Sequence, residues 1–331
     1  MTAPEPTPKT TPENTPGSAP RRVALVGAGL IGRAWAIAFA RGGWNVALWD
    51  PAEGAAQGAI DLLPPLLSGL AEEGLLRGQD PAAVAARVRP AATLEEALAE
   101  ACHVQENAPE RLEVKLDLWA RMDAAAPAGA TLASSTSAIP ASRFTEGLAG
   151  RARCMVAHPI NPPYLVPAVE IVPAPWTDPE AAARVAAVME GIGQSPILMQ
   201  REIEGFVMNR LQGALLEEAF RLVADGVASP EDVDRGIRDG LGLRWAFMGP
   251  FETIDLNAPG GVEDYAARFD GMYRDIHASA AHRADWAETV RARVAPDRAA
   301  ALPRAELGAR QAWRDRRLMA LLRHKQGQPE A

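Results

Sequence analysis

Three glycines and an aspartate have types and spacing that suit one chemistry. Gly27, Gly29 and Gly32 stand at G-x-G-x-x-G spacing, and Asp50 follows eighteen residues after Gly32. That pattern suits a dinucleotide. Gly27 allows a tight turn, Gly29 lets backbone approach a pyrophosphate, and Gly32 lets a helix pack close to a strand. Leu30 and Ile31 lie inside the motif among the candidate cofactor contacts, and the N-terminus of the helix that follows, with free N–H groups and dipole, favours an anion. Asp50 is placed to accept adenosine ribose hydroxyls, and a carboxylate there favours NAD over NADP by repelling a 2′-phosphate. Arg33 and Arg41 are nearby cations that soften the preference.

A dinucleotide that carries hydride also needs a proton acceptor for an alcohol, and histidine is the usual one. Of the five histidines, His103 lies within an apolar strand, His277 and His282 in helical segments, and His324 near the end. These four read as packed or solvated. His158 differs, because it follows the strand Cys154-Met155-Val156-Ala157 and so sits at a carboxyl end, where open α/β sheets bind ligands. Twelve residues on, Glu170 interrupts the apolar run Ala168-Val169…Ile171-Val172. A carboxylate there is costly to bury without a partner. That partner is an imidazole, which it would orient as a base, or equally an arginine.

The elements around these residues follow from pattern. Val23–Val26 is short and apolar, as a buried parallel strand is. A helical stretch from Trp35 ends at Gly42-Gly43, and a second strand, Asn45–Trp49, leads to Asp50. The glycine motif thus lies inside a βαβ unit, the context that separates a dinucleotide turn from a plain one. Further strands are expected at 87–93, 102–106, 131–134, 152–157, 168–172 and 196–200, alternating with helices. This alternation predicts an α/β fold with a doubly wound, mostly parallel sheet. Pro162, Pro163 and Pro167 predict a loop at the sheet edge, and Pro64-Pro65 a break in the helix over 55–76. From about residue 202 the pattern is helical throughout. The expected division is a Pro/Thr-rich disordered tail over 1–20, a nucleotide domain over 21–201 and an all-α domain over 202–331.

Composition narrows the function classes. A net charge of −8 argues against a nucleic-acid partner. No apolar run approaches the ~20 residues of a membrane span. Cys102 and Cys154 form no disulfide framework or metal-ligand spacing, which suits a cytoplasmic protein without a metal.

Beyond these single residues, longer segments carry a resemblance. SSTS (134–137), HPINPP (158–163), VEIV (169–172) and GFVMNRL (205–211) resemble the L-3-hydroxyacyl-CoA dehydrogenase superfamily. VQENAPERLEVK (104–115), IGQSP (192–196), DGLGLRWAFMGPFET (239–253) and QAWRDRRL (311–318) resemble its lambda-crystallin branch, whose activity is L-gulonate 3-dehydrogenase. The resemblance implies His158 as base with Glu170 as its carboxylate, and Ser137 and Asn209 bonded to the reacting oxygen or its neighbours. It places Glu110 and Lys115 on the nicotinamide side of NAD, with Ser137 and Asn161 among the cofactor contacts. Taken alone, Ser137 could cap a helix, Asn209 could face solvent, and Lys115 could pair with Glu110 or Glu113. The family also implies a homodimer through the all-α domain.

Substrate is read from Arg244-Trp245, where acyl-CoA members have a shorter passage. Arg244 could grip a free carboxylate bidentately, or pair with Asp239. Only Lys9, Lys115 and Lys325 are lysines, and the helix over 55–76 carries Asp61, Glu72 and Glu73 but no cation, which disfavours the phosphates of CoA. The expectation is NAD-dependent oxidation of a small L-3-hydroxy acid such as L-gulonate. The alternatives are an L-3-hydroxyacyl-CoA substrate and a non-catalytic NAD-binding protein.

Overall fold

The computed structural model describes residues 21–280 and 282–328, so the expected tail over 1–20 lies outside the described residues. Val23, Ala24, Leu25 and Val26 are all buried, as a strand covered on both faces must be. They belong to β1 (Arg22–Val26), which pairs with β2 (Asn45–Trp49) on one side and β4 (His103–Glu106) on the other. With β3 (Val88–Pro90), β5 (Thr131–Ser134), β6 (Cys154–Pro159), β7 (Ala168–Pro173) and β8 (Ser195–Leu198) they form one sheet, ordered β3-β2-β1-β4-β5-β6-β7-β8. Every neighbouring pair is parallel except β6 with β7. The sheet is therefore mostly parallel, as expected. The proline-rich loop joins the two antiparallel strands inside the sheet, not at its edge, and Pro162, Pro163, Tyr164 and Leu165 are buried.

Alternate residues of β1 feed two cores. Val23 and Leu25 pack with Trp35, Ile37 and Phe39 of α1 (Leu30–Arg41), while Ala24 and Val26 pack with Trp119 and Met122. Gly42 and Gly43 end α1 for different reasons. Gly43 is left-handed at φ +83°, whereas a side chain on Gly42 would strike Ile192 at 2.6 Å. The expected break at Pro64-Pro65 falls at Leu62, where one helix ends and the next begins. After α2 (Ala55–Asp61), the two prolines open α3 (Leu63–Glu72), where a missing N–H costs nothing. Shorter helices α4 (Pro81–Ala85) and α5 (Leu94–Leu98) begin at Asp80 and Thr93, whose side chains cap Ala83 and Glu96. Then come α6 (Leu112–Ala125), α7 (Ser142–Thr145) and α8 (Pro179–Gly191).

The chain divides into two compact units. The first runs to Met208 and takes the chain up again from Trp313 onward; the second spans Asn209–Ala312. The second is helical among its described residues: α9 (Met208–Ala224), α10 (Pro230–Arg235), α11 (Gly242–Trp245), α12 (Pro250–Asp255), α13 (Gly261–Ser279), α14 (Trp286–Thr289) and α15 (Ala295–Ala301). The expected boundary near 202 thus falls at Met208, and the end of the chain differs more. In α16 (Leu307–Gln326), Leu318, Met319 and Leu322 pack on the sheet domain's core, and Arg323 pairs with Glu73. The final helix therefore belongs with the sheet from Trp313.

One polar side chain in the sheet interior has a consequence for stability. His103 is fully buried, with Nδ1 at 2.9 Å from Thr131 Oγ1 and Nε2 at 3.2 Å from Gln105 Oε1. Burial, partly offset by the Gln105 hydrogen bond, pushes its imidazole down from 6.5 to about 4. Between those two values the unfolded chain binds a proton that the folded chain does not. His103 is therefore without cost above the upper value and destabilises the fold progressively as pH falls towards the lower one. Denaturant unfolding of the wild type and His103→Gln at pH 7 and pH 4.5 measures this. The stability difference between them should shift by about 2 kcal/mol, the wild type losing more in acid. A difference that does not change with pH would mean that His103 is not held neutral.

Candidate active site

The nucleotide turn has the geometry its glycines require. Gly27 is left-handed at φ +101°, and a methyl on Gly32 would lie 1.9 Å from the Gly27 carbonyl oxygen. Gly29 instead faces open space, so its missing side chain leaves room for a ligand. No side chain caps α1, and its first turn holds no acid, which leaves N–H groups and positive dipole unopposed. Leu30 is exposed beside them and Ile31 half-buried. Asp50 directly follows β2, and its two oxygens accept from the N–H groups of Ala28 at 2.8 Å and Ala52 at 2.9 Å. Each oxygen keeps a lone pair for a further donor. These residues fit a dinucleotide, with pyrophosphate at the helix start and a ribose at Asp50.

The second centre arises from the antiparallel pairing. His158 of β6 stands opposite Glu170 of β7, which explains the separation of twelve residues. His158 Nδ1 lies 2.7 Å from Glu170 Oε2, settling the open partner of Glu170 as the imidazole. An ionised carboxylate only accepts, so Nδ1 carries the hydrogen and Nε2 keeps its lone pair for a proton. The other carboxylate oxygen of Glu170 accepts from the N–H groups of Val207 at 2.6 Å and Met208 at 2.8 Å. Gly205 at φ +75° and Phe206 at φ +51° are both left-handed and turn those groups onto it. The Phe206 ring is buried, with its centroid 5.7 Å from that of His158. Nothing in the sequence signals a phenylalanine in this conformation; its neighbour glycine is the one hint.

Two carboxylates, one ending β4 and one in the loop beyond it, divide their work. Glu106 is completely buried and accepts from Lys115 Nζ at 2.9 and 3.0 Å, Trp119 Nε1 at 3.1 Å, Ser134 Oγ at 2.5 Å and Ala108 N at 2.6 Å. Lys115 has no exposed surface and pairs with Glu106, not with Glu110 or Glu113. Breaking such a buried pair from one side costs about 3–5 kcal/mol. In this position Lys115 Nζ is engaged by both oxygens of Glu106 and by Ser134 Oγ at 3.2 Å. Glu106 was missed, although it ends β4 much as Asp50 directly follows β2. Glu110 is exposed and bonds the Thr136 hydroxyl and the Ser137 N–H, the latter at 3.1 Å. Burial alone would raise its carboxyl, but those two donors bind the charged form and hold it below the usual carboxylate range. Glu110 therefore shapes the loop that presents Ser137. Ser137 is exposed and precedes α7 by several residues, so it is not that helix's cap. Asn161 is exposed in the loop after β6.

In the helical unit, Asn209 is half-buried near the start of α9, and Arg244 is exposed on α11. Asp239, the competing partner of Arg244, is held by Arg238 at 2.9 Å instead. Among the described residues Arg244 makes no ion pair, and no group of three acids, histidines or cysteines is placed to hold a metal.

Residues 22–203 match the model of the 3-hydroxyacyl-CoA dehydrogenase NAD-binding domain, and residues 205–292 that of the 3-hydroxyacyl-CoA dehydrogenase C-terminal domain. The chain is 42% identical to the lambda-crystallin homolog of Bos taurus over 324 residues, 95% of this chain and 98% of that protein. It is 46% identical to an L-carnitine dehydrogenase of Streptomyces griseus subsp. griseus over 238 residues, covering 71% of this chain and 69% of that one. Among solved structures, a 5-formyl-3-hydroxy-2-methylpyridine 4-carboxylic acid 5-dehydrogenase is similar with a TM-score of 0.78 and 26% identity, across 94% of this chain and all of that one. With a matched glycine turn, a paired histidine and both family domains in order, the chain belongs to the 3-hydroxyacyl-CoA dehydrogenase family of NAD-dependent oxidoreductases.

Proposed function

We propose that the chain oxidises the 3-hydroxyl of a small free L-3-hydroxy acid, L-gulonate or a compound like it, to the 3-keto acid. The observation that carries this reading is the His158–Glu170 pair, a buried imidazole with one nitrogen on a carboxylate and the other left to accept a proton. Gly27, Gly29, Leu30, Ile31, Gly32 and Asp50 hold NAD, with Glu110, Ser137 and Asn161 at its reacting end. Bound there, NAD supplies the hydride acceptor. His158 Nε2 takes the hydroxyl proton, and Glu170 balances the charge that the ring acquires. Ser137 and Asn209 hydrogen-bond the reacting oxygen. Arg244 binds the C1 carboxylate, a role supported by its exposed guanidinium and by the engagement of Asp239 elsewhere. The likeness to an L-carnitine dehydrogenase supports a free acid as well, since carnitine is itself a 3-hydroxy acid. The alternative is the L-3-hydroxyacyl-CoA thioester for which the family is named.

The second unit acts as the contact between two copies. Among its described residues Val223 is the one fully buried apolar side chain, whereas Phe251 is 77% and Leu256 69% exposed. Leu211, Leu243 and Phe247 are more than half exposed as well. Monomers rarely leave that much apolar surface in water, and a second copy of the same unit has matching surface to cover it.

NADH formation from L-gulonate, L-carnitine and L-3-hydroxybutyryl-CoA tests the substrate class, and a higher kcat/KM for the thioester would overturn the free-acid reading. His158→Gln should lower kcat by about 10²–10⁴-fold while NAD still binds. Undiminished turnover would remove it as the base. Arg244→Ala should raise KM for the free acid by about 10–100-fold, the worth of a charged hydrogen bond. It should barely touch the thioester; equal effects on both would exclude the carboxylate contact. Light scattering should find a dimer that Phe251→Asp converts to monomer, and a monomeric wild type would exclude the proposed contact.

A further inference from the structure

β5 and β6 stay in register only as far as Ser134 and Val156. Beyond that point Ser135 turns its N–H to the Glu106 carbonyl of β4 at 2.8 Å, while β6 runs on beside β7 with Ala157 opposite Ile171. The two strands part here, and the segments leaving them carry Ser137 and His158. A side chain from a third strand spans the gap. Gln105 of β4 is fully buried and donates from its amide nitrogen to Ser135 Oγ at 2.7 Å and to the Ala157 carbonyl at 3.1 Å. Ala157 immediately precedes His158.

The amide is held in that orientation from behind. Its oxygen faces His103 Nε2, so the ring hydrogen of a neutral His103 sits on Nε2 and Nδ1 accepts from the Thr131 hydroxyl. Ser135 Oγ is equally committed. It accepts from Trp35 Nε1 at 3.0 Å as well as from Gln105, and donates to Asn107 Oδ1 at 2.8 Å. Asn107 Nδ2 returns to the Gln105 carbonyl at 3.0 Å. The network is closed, with its polar groups satisfied and its members locked by one another.

We propose that Gln105 is a positioning residue, fixing the spacing between Ser137 and His158 by tying Ser135 to Ala157 where the strands part. This rests on the reading of His158 as the base. Misplacement by about 1 Å can cost on the order of 10²-fold in rate, so a tie one residue from His158 bears on kcat without touching substrate.

The test compares the full-length wild type with Gln105→Met, which keeps length and loses both donors, and Ser135→Ala, which removes the other end at less cost to folding. Amide hydrogen exchange read by mass spectrometry should quicken in both variants over 135–139 and 157–160, with the remaining sheet unchanged. With whichever 3-hydroxy substrate the wild type oxidises, kcat should fall by about tenfold in each variant, KM and NADH affinity staying within about twofold. The double variant should be no worse than Gln105→Met alone, because both remove the same tie. Unchanged exchange at both segments, a rise spread across the sheet, or losses that multiply would each overturn the proposal. A wild type that oxidises no 3-hydroxy substrate would defeat the functional reading instead, and the exchange result would still decide whether Gln105 ties the strands.

Discussion

A carboxylate with no exposed surface is stable only if its partners are complete, and Glu170 has three: the His158 ring and the N–H groups of Val207 and Met208. Desolvating such an ion costs several kcal/mol, while a hydrogen bond to a charged group returns about 1.5–3 kcal/mol. One bond does not cover that cost; three do. The requirement reaches along the chain, because the two N–H groups can turn onto Glu170 only if Gly205 and Phe206 adopt left-handed backbone. For phenylalanine this costs about 1–2 kcal/mol, which burial of its ring, worth about 1.5–3 kcal/mol, offsets. The geometry of the His158–Glu170 pair and the packing of Phe206 thus depend on each other.

The same device recurs at the carboxyl ends of other strands. Asp50 after β2 and Glu106 in β4 each accept the N–H of the residue two positions on, Ala52 and Ala108. Each carboxylate pins the loop that follows its strand where regular pairing stops. Glu106 also gathers Lys115 and Trp119 from α6 and Ser134 from β5, while Glu110 fastens the next loop through Thr136 and Ser137. A parallel sheet opens at this end because its loops diverge, and acidic side chains close the resulting backbone accounts with hydrogen bonds.

What could be read from the chain and what could not follows from how far apart interacting residues lie in sequence. The glycine turn was legible because Gly27 and Gly32 touch each other across a single turn. The His158–Glu170 pair was half legible: a strand end and an interrupted apolar run mark each residue, but only antiparallel pairing makes them face. The partner of Lys115 was misread because it lies nine residues back, across a strand-to-helix crossing, while Glu110 and Glu113 are nearer in sequence. Arg238 rather than Arg244 took Asp239 for the opposite reason, being the immediate neighbour. The return of α16 to the sheet was not legible, because it depends on Leu318, Met319 and Leu322 finding a core formed some 250 residues earlier.

His103 and His158 show how partners, not burial, decide what a histidine can do. Both are buried, both belong to strands of one sheet, and neither is marked by composition. His103 faces a hydroxyl and an amide, which satisfy a neutral ring and offer no counter-charge, so burial keeps the proton off down to about pH 4. His158 faces a carboxylate, so a ring that takes up a proton has its counter-ion already in place at 2.7 Å. The sheet therefore holds one histidine paired with neutral groups and one paired with a carboxylate. Gln105 connects the two, taking a hydrogen bond from the first and holding the residue before the second.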